Sequence, residues 1–338
     1  MWSTPTVVGD VVIIGSCAGS LYALDRKTGE VRWSYDIKKD GDQTSFHGNP
    51  LITNDLIIIG TDGRSGPEGV GHTYAFEKTS GKVRWKYKLT SGVPNGRGVP
   101  THIVGLDSSV YGVAFGDELL CLDVKTGRLN WSFQSEFSRS EFRWSNSPAV
   151  AGGKVFFGGV DGNVYALDAN TGKPAWKRAL GARISTHLTI AHNGLYLGAA
   201  DNRIYLLNPN NGSIVASFTA SATPVGTITD AGKSMIVFLN SKGGAGGAET
   251  IACLDRGLTK IQWRQSVPDG WSLTRAHLSH GNVLAGSEVG EVIAYRLADG
   301  VRQWSHRFKG VIRSIGSGSD YVLYIGTLSG KVYAYLAK

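Results

Sequence analysis

Ala166-Leu167-Asp168-Ala169-Asn170-Thr171-Gly172-Lys173-Pro174-Ala175-Trp176 is a stretch that returns along the whole chain. Its frame is a small residue, an Asp two positions on, a Thr-Gly pair, and a Trp three residues later. The frame recurs as Ala23, Asp25, Thr28, Gly29, Trp33, and as Cys121, Asp123, Thr126, Gly127, Trp131. A conservative copy reads Ala75, Glu77, Ser80, Gly81, Trp85, and weaker copies end at Ala216, Trp263 and Trp304. Thr-Gly marks a tight turn, with glycine supplying a positive φ, between two strands that carry the flanking apolar residues.

The end positions of successive copies are 52, 46, 45, 40, 47 and 41 residues apart, inside the range of about 40 to 50 expected of propeller blades. Each unit divides alike. In the fourth, Pro148 to Val150 is one strand, Gly152-Gly153 a turn, Lys154 to Gly158 a second strand, and Asp161-Gly162 the next turn. Asn163 to Leu167 alternates as a third strand, and Lys173 to Leu180 carries Trp176 as the fourth. Such a meander cannot bury both faces alone, and radial stacking closes them. The expectation is one all-β domain over 1–338, an eight-bladed propeller with blades at about 2–38, 46–90, 98–135, 144–181, 183–220, 223–267, 271–308 and 311–338. The eighth blade has only three strands in this chain. Either it closes three-stranded, or a longer natural N-terminus completes it. Trp33, Trp85, Trp131, Trp176, Trp263 and Trp304 then read as docking residues, each ring between blades and each N–H near a turn carbonyl.

The repeated frame resembles the tryptophan-docking motif of pyrroloquinoline-quinone-type propeller repeats. That family includes quinoprotein alcohol dehydrogenases, the propeller lipoprotein of the outer-membrane β-barrel assembly machine, and sensor domains of bacterial kinases. The resemblance implies the fold over the whole chain and leaves the function open among these roles.

Bulk composition narrows the classes. With 41% hydrophobic and 18% charged residues the chain can build a large core and is not disordered. No apolar run reaches the roughly 18 residues of a membrane span. A net charge of +8 suits acidic partners, but no block of consecutive Lys and Arg marks a nucleic-acid stripe, and nucleic acid is not expected as a partner. Gly243-Gly244-Ala245-Gly246-Gly247 lacks the Gly-Lys-Ser/Thr of a phosphate loop. Cys121 and Cys253 occupy the small-residue slot of the repeat and read as buried packing residues; Cys17, beside Gly19, reads as a free surface thiol. No cysteine spacing supports a metal or redox motif. Met1-Trp2-Ser3-Thr4-Pro5 lacks the basic start and apolar stretch of a signal peptide, so the protein is cytoplasmic unless a leader lies upstream.

The long segments collect on one side of the blades. They are Thr61 to His72, Asn240 to Glu249, and the inter-blade connections Lys38–Ser45, Thr90–Val99 and Ser135–Phe142. In repeat proteins that marks the binding face. By register, residues entering each first strand line the mouth of the central channel there: Trp2, His47, Arg97, His102, Arg143, Asn146, Arg183, His187, Thr274, Arg275, His277 and Arg313. Trp144 and Trp271 lie in the same connections, outside the docking slot. Cations and imidazoles beside aromatics form a basic funnel for an anionic or sugar-like ligand, since Arg engages carboxylates bidentately.

Three functions are expected to compete. The first is a non-enzymatic, monomeric scaffold presenting this funnel to a protein partner, an anionic polymer or an anionic small molecule. The second is a carbohydrate-binding or carbohydrate-active propeller, using His or Tyr as base and Arg to neutralise a uronate, which the cluster of His47, His102, Arg143, His187 and Arg275 allows. The third is a quinone-dependent dehydrogenase. The resemblance implies calcium, a catalytic Asp and a vicinal cysteine ring for that enzyme. Here no cysteines are adjacent, and Asp42, Glu141 and Asp269 form no paired carboxylate signature, so pyrroloquinoline quinone and calcium are not expected.

Overall fold

The computed structural model describes residues 3–41, 43–63, 71–89, 97–137, 145–241, 248–271, 275–318 and 321–337; the side chains of residues 248 and 267–271 are not described. The chain is an all-β, eight-bladed propeller. It divides into two compact units, Met1–Asp161 with Leu167–Ala175, and Gly162–Ala166 with Trp176–Lys338.

In the first unit, blade one is the antiparallel meander Thr6–Val8, Val11–Gly15, Ser20–Asp25 and Val31–Asp36. Blade two runs Leu51–Ile52, Leu56–Gly60, Gly71–Glu77, Val83–Leu89, and blade three Val104–Leu106, Ser109–Ala114, Glu118–Asp123, Leu129–Gln134. A two-residue ladder joins Arg97–Gly98 to Asp62–Gly63. Ala149–Ala151 and Lys154–Gly158, also of the first unit, belong to a fourth sheet completed by Asn163–Asp168 and Pro174–Ala179, strands whose residues the two units share.

In the second unit, blade five is Thr189–Ala191, Gly194–Gly198, Arg203–Leu207 and Ile214–Thr219. Blade six is Thr223–Asp230, Ser234–Asn240, Ala248–Asp255 and Ile261–Trp271; Thr186–His187 adds to it as a parallel fifth strand against Gly226 and Thr227. Blade seven is His277–Ser279, Asn282–Gly286, Glu291–Arg296 and Arg302–Arg307, and the last sheet has three strands, Ile312–Ser317, Val322–Thr327 and Val332–Leu336.

Burial explains the sequence pattern strand by strand. Second strands such as Val11-Val12-Ile13-Ile14 are covered on both faces, so they read as unbroken apolar runs. Fourth strands such as Leu129–Gln134 alternate between exposed and half-buried positions. The core clusters bridge consecutive blades: Ile13 and Ala23 pack with Ile57, Ile59 and Phe76, and Trp85 packs with Val110 and Leu120.

Each of five docking tryptophans, Trp33, Trp85, Trp131, Trp176 and Trp263, lies against the turn glycine of the following blade, Gly81, Gly127, Gly172, Gly212 and Gly300 in turn. In the last four the indole nitrogen donates to the residue just after the turn's first position: Trp85 to Val124 O at 3.0 Å, Trp131 to Ala169 O at 3.1 Å, Trp176 to Pro209 O at 3.0 Å, Trp263 to Leu297 O at 2.8 Å. The ring lies flat on the turn glycine. A Cβ built on Gly172 would sit 2.6 Å from Trp131, and one on Gly81 2.5 Å from Trp33. Asp168 holds the same turn by accepting from the Asn170 and Thr171 amides and the Thr171 hydroxyl. Blade five carries Ala216 in place of the indole. The facing turn has Thr259 in the glycine slot, and the buried Leu258 packs in the cluster that includes Ala216. Where the ring is lost, the opposite turn fills its space.

Two alanine substitutions separate ring contact from backbone strain. Gly172→Ala is expected to destabilise the protein by about 2–4 kcal/mol, because positive φ and overpacking add. Gly9→Ala, at a similar φ of 60° with nothing within 4 Å, is expected to cost about 1 kcal/mol. Equal denaturation midpoints for the two variants would contradict the docking account.

Candidate functional site

The sequence-derived funnel residues separate by unit. Trp2, Arg143, Trp144 and Thr274 lie outside the described residues, as do most of the long Gly-rich and inter-blade segments. Trp271 closes the eleven-residue strand Ile261–Trp271, with its backbone opposite Ala248, and so is not in a connection as its sequence position suggested. That pair lies across a register shift from the regular ladder, which ends at Thr250 opposite Ser266.

In the first unit, His47 follows Ser45-Phe46 on the connection between blades one and two. Its Nδ1 lies 2.9 Å from Asp62 Oδ2, and Asp62 is fully buried. The carboxylate also accepts from the Ser45 hydroxyl, while the Thr44 amide donates to the Asp62 carbonyl at 2.8 Å. Burial alone would lower the His47 pKa, but the hydrogen bond and charge of Asp62 raise it above the ordinary value, so the ring holds its proton more tightly. Arg97 is half-buried in its short ladder with Gly63. His102 is half-buried, and its amide donates to Ser147 Oγ at 3.0 Å. Asn146 is buried. Asp117, in the slot that Gly162 holds in the next repeat, is fully buried and accepts from the Val160 amide and from Ser145 Oγ. Burial pushes its carboxyl up to about 6. Asp62 and Asp117 escaped the sequence reading because each is one acidic residue in a loop, with no spacing signature.

In the second unit, three groups gather. His187 lies on the parallel strand Thr186–His187, Arg275 just precedes blade seven, and His277 opens that blade's first strand. Burial, then the positive charge of Arg275, lowers both imidazoles to about 4. Both rings are therefore neutral at neutral pH. The Arg275 guanidinium is drawn down by desolvation although the residue keeps solvent access, which is the situation of a group in a concave, water-reachable site. No carboxylate among the described residues offsets it. His277 Nε2 lies 2.8 Å from Ser317 Oγ. Arg183 is exposed at the entry to blade five, and Arg313 is half-buried on the first strand of blade eight. Among the described residues no group of three or more His, Cys, Asp or Glu could hold a metal, and no helix is long and apolar enough to cross a membrane.

Comparison with known proteins follows the same lines. The family model described as outer membrane protein assembly factor BamB matches residues 2–133, 44–182, 116–247 and 200–338. The chain is 28% identical over 191 residues to the serine/threonine-protein kinase AfsK of Streptomyces griseus, covering 56% of this chain and 22% of that protein. It is 24% identical over 221 residues to BamB of Shewanella oneidensis, covering 63% of this chain and 52% of that protein. The chain thus spans about half the length of that BamB relative or less of the kinase. The crystal structure of BamB from Moraxella catarrhalis superposes with a TM-score of 0.79 over 99% of this chain and 96% of that one, at 18% identity, which is a likeness of fold.

The histidine shifts set a pH dependence with a definite sign. His187 and His277 stay neutral in the folded protein down to about 4, whereas unfolded histidine protonates near pH 6.5. Their contribution to stability is therefore lost as pH falls from about 6.5 to about 4, by roughly 1 kcal/mol per histidine after allowance for their partial exposure. His47, with a raised value, works in the opposite direction. A His187→Gln/His277→Gln double variant should show a visibly flatter loss of denaturant midpoint between pH 7 and pH 5 than the parent chain; an unchanged slope would contradict the assignment.

Proposed function

The chain belongs to the family of the outer membrane protein assembly factor BamB, and from that premise we propose that it is a non-enzymatic binding propeller. Its work is to recognise a carboxylate-bearing segment of a partner protein at the cationic site around Arg275, without a cofactor. The observation that carries this reading is the grouping of Arg275 with His187 and His277. A guanidinium with no acidic counter-charge among the described residues, in a site that water can reach, is a standing vacancy for an anion. The two neutral imidazoles add polarity beside the guanidinium without adding charge that would need its own partner. The guanidinium suits a carboxylate because its fork matches both oxygens.

Within the second unit, Arg183 and Arg313 at further blade entries extend the same cationic character to a longer acidic chain. In this reading those residues raise the rate of encounter and add little to the final affinity. Mostly short connections and extensive β-pairing support a scaffold that offers its loops without costly ordering. The propellers in this family have unrelated roles, so the charge pattern of these residues carries the proposal more than family membership does.

A poly-glutamate peptide is the probe that tests it, by isothermal titration calorimetry at two salt concentrations. Binding should weaken steeply with salt, and Arg275→Ala should weaken it roughly tenfold. Binding unaffected by Arg275→Ala would overturn the reading. Preference for an acidic oligosaccharide over the peptide would replace the protein partner with a carbohydrate.

A further inference from the structure

Cys17 is not the simple surface thiol that its turn position suggested. It is half-buried, and it lies in hydrogen-bond contact with His47, whose Nδ1 is already engaged by the buried Asp62 at 2.9 Å. The three groups come from three connections: Cys17 from the turn between the second and third strands of blade one, His47 from the link to blade two, and Asp62 from the loop after blade two's second strand. The turn itself does not need a thiol. The same backbone closure, Gly19 N to Ser16 O at 3.2 Å, recurs as Asn202 to Ala199, Gly290 to Ser287 and Gly330 to Thr327. There the position of Cys17 holds Ala200, Glu288 and Leu328.

A nucleophile, an imidazole and a carboxylate in series are the parts by which a thiol is activated. Asp62 orients the ring through Nδ1 and favours its charged form, and the same ring is in hydrogen-bond contact with the thiol. The charges agree. Burial alone would push the Cys17 thiol up; the hydrogen bond with His47 and the charge of that imidazole act to lower it, and the thiol lies below its ordinary value while His47 lies above its own. Both shifts run in the direction that favours a thiolate beside an imidazolium.

The thiol also has somewhere to react. An open cleft of about 640 Å³ is lined by Cys17, Ala18, Lys38, Gly41, Gln43 and Thr44. Gln43 is a fixed wall, since its amide donates to Ile37 O at 3.2 Å and to Tyr74 Oη at 2.8 Å. Lys38 is exposed, whereas Asp40, the neighbouring carboxylate, is bound by Lys86 Nζ at 2.7 Å and by the hydroxyls of Tyr35 and Tyr74. Among the described residues, Lys38 is therefore the charged group lining the cleft with the sulfur.

We propose that Cys17, activated by His47 and Asp62, is a nucleophilic site that undergoes thiol–disulfide exchange with small disulfides bearing carboxylates. The Cys17 thiolate attacks one sulfur of RS–SR. A Cys17–S–S–R bond forms, the RS–SR bond breaks, and the departing thiolate takes the proton from the His47 imidazolium and leaves as RSH. The Cys17 sulfur is oxidised and half of the small disulfide is reduced, so no further oxidant is required. Excess small thiol reverses the step. His47 and Asp62 are positioning residues for this sulfur. The site belongs to the first unit and stands or falls independently of anion binding at Arg275.

The test uses the full chain with two disulfide probes, dianionic 5,5′-dithiobis(2-nitrobenzoate) and neutral 4,4′-dithiodipyridine. Cys121 and Cys253 are buried, so one thiol is expected to react in the folded protein, and peptide mass spectrometry should place the adduct at Cys17. The rate should follow a midpoint below the ordinary thiol value of about 8.5. His47→Gln should move that midpoint up by about one unit or more and slow the reaction at pH 6.5 roughly tenfold. Lys38→Ala should slow the dianionic probe more than the neutral one. A parent-chain midpoint at the ordinary thiol value, or an identical profile in His47→Gln, would overturn the proposal. Should His47→Gln not fold, the ultraviolet thiolate absorbance of the parent chain minus that of Cys17→Ser, followed against pH, decides the same question.

Discussion

An indole ring lying on a glycine is the contact on which the other features of this molecule depend. A four-stranded blade has two apolar faces and cannot cover both, so it persists only if its neighbours are seated at a fixed distance and angle. The docking tryptophan does this with two constraints at once. Its ring occupies space that any Cβ on the facing turn would fill, as at Gly172 and Gly127, and its N–H satisfies a carbonyl of the same turn. A buried indole contributes more than area here: its N–H must find a partner, and only one placement of the next blade provides it. The exchange between Ala216 and Leu258 shows the same constraint met with reversed parts.

With stability invested in those turns and in the second-strand cores, the connections at the other end of each blade are released from packing duty. Polar groups accumulate there and are held in detail. Asp62 is fully buried yet bound by His47 and Ser45; Asp117 is fully buried yet bound by Ser145 and the Val160 amide. Unpaired, either carboxylate would cost several kcal/mol or give up its charge. In the second unit the balance differs: burial, and after it the charge of Arg275, lowers two histidines, and no described carboxylate answers that charge. Paired charge reads as architecture, and unanswered charge as an opening for a ligand.

Much of this was legible in the sequence, for physical reasons that vary by residue. The blade could be read because the Asp-x-x-Thr-Gly turn and its Trp obey local rules at a constant spacing. The burial of Cys121 and Cys253 followed from the slot they share with Ala23 and Ala166. His187 and Arg275 were selected by register, but their mutual influence could not be, since it arises from segments nearly ninety residues apart. The parallel addition of Thr186–His187 to blade six was likewise invisible, a two-residue pairing having no periodicity to detect. Cys17 looked inert because its turn is ordinary; what changes it arrives from His47 and, through that ring, from Asp62.

The central claim, that the second unit holds a cationic site awaiting a carboxylate, is tested most directly by titrating the imidazole resonances of His187 and His277 by NMR with and without poly-glutamate. In its absence both should titrate near pH 4. Burial is the larger cause of that depression and persists on binding, but a carboxylate beside Arg275 neutralises the second cause, so both midpoints should rise when the peptide is present. Midpoints near the ordinary histidine value without peptide, or midpoints that do not move when it is added, would contradict the account.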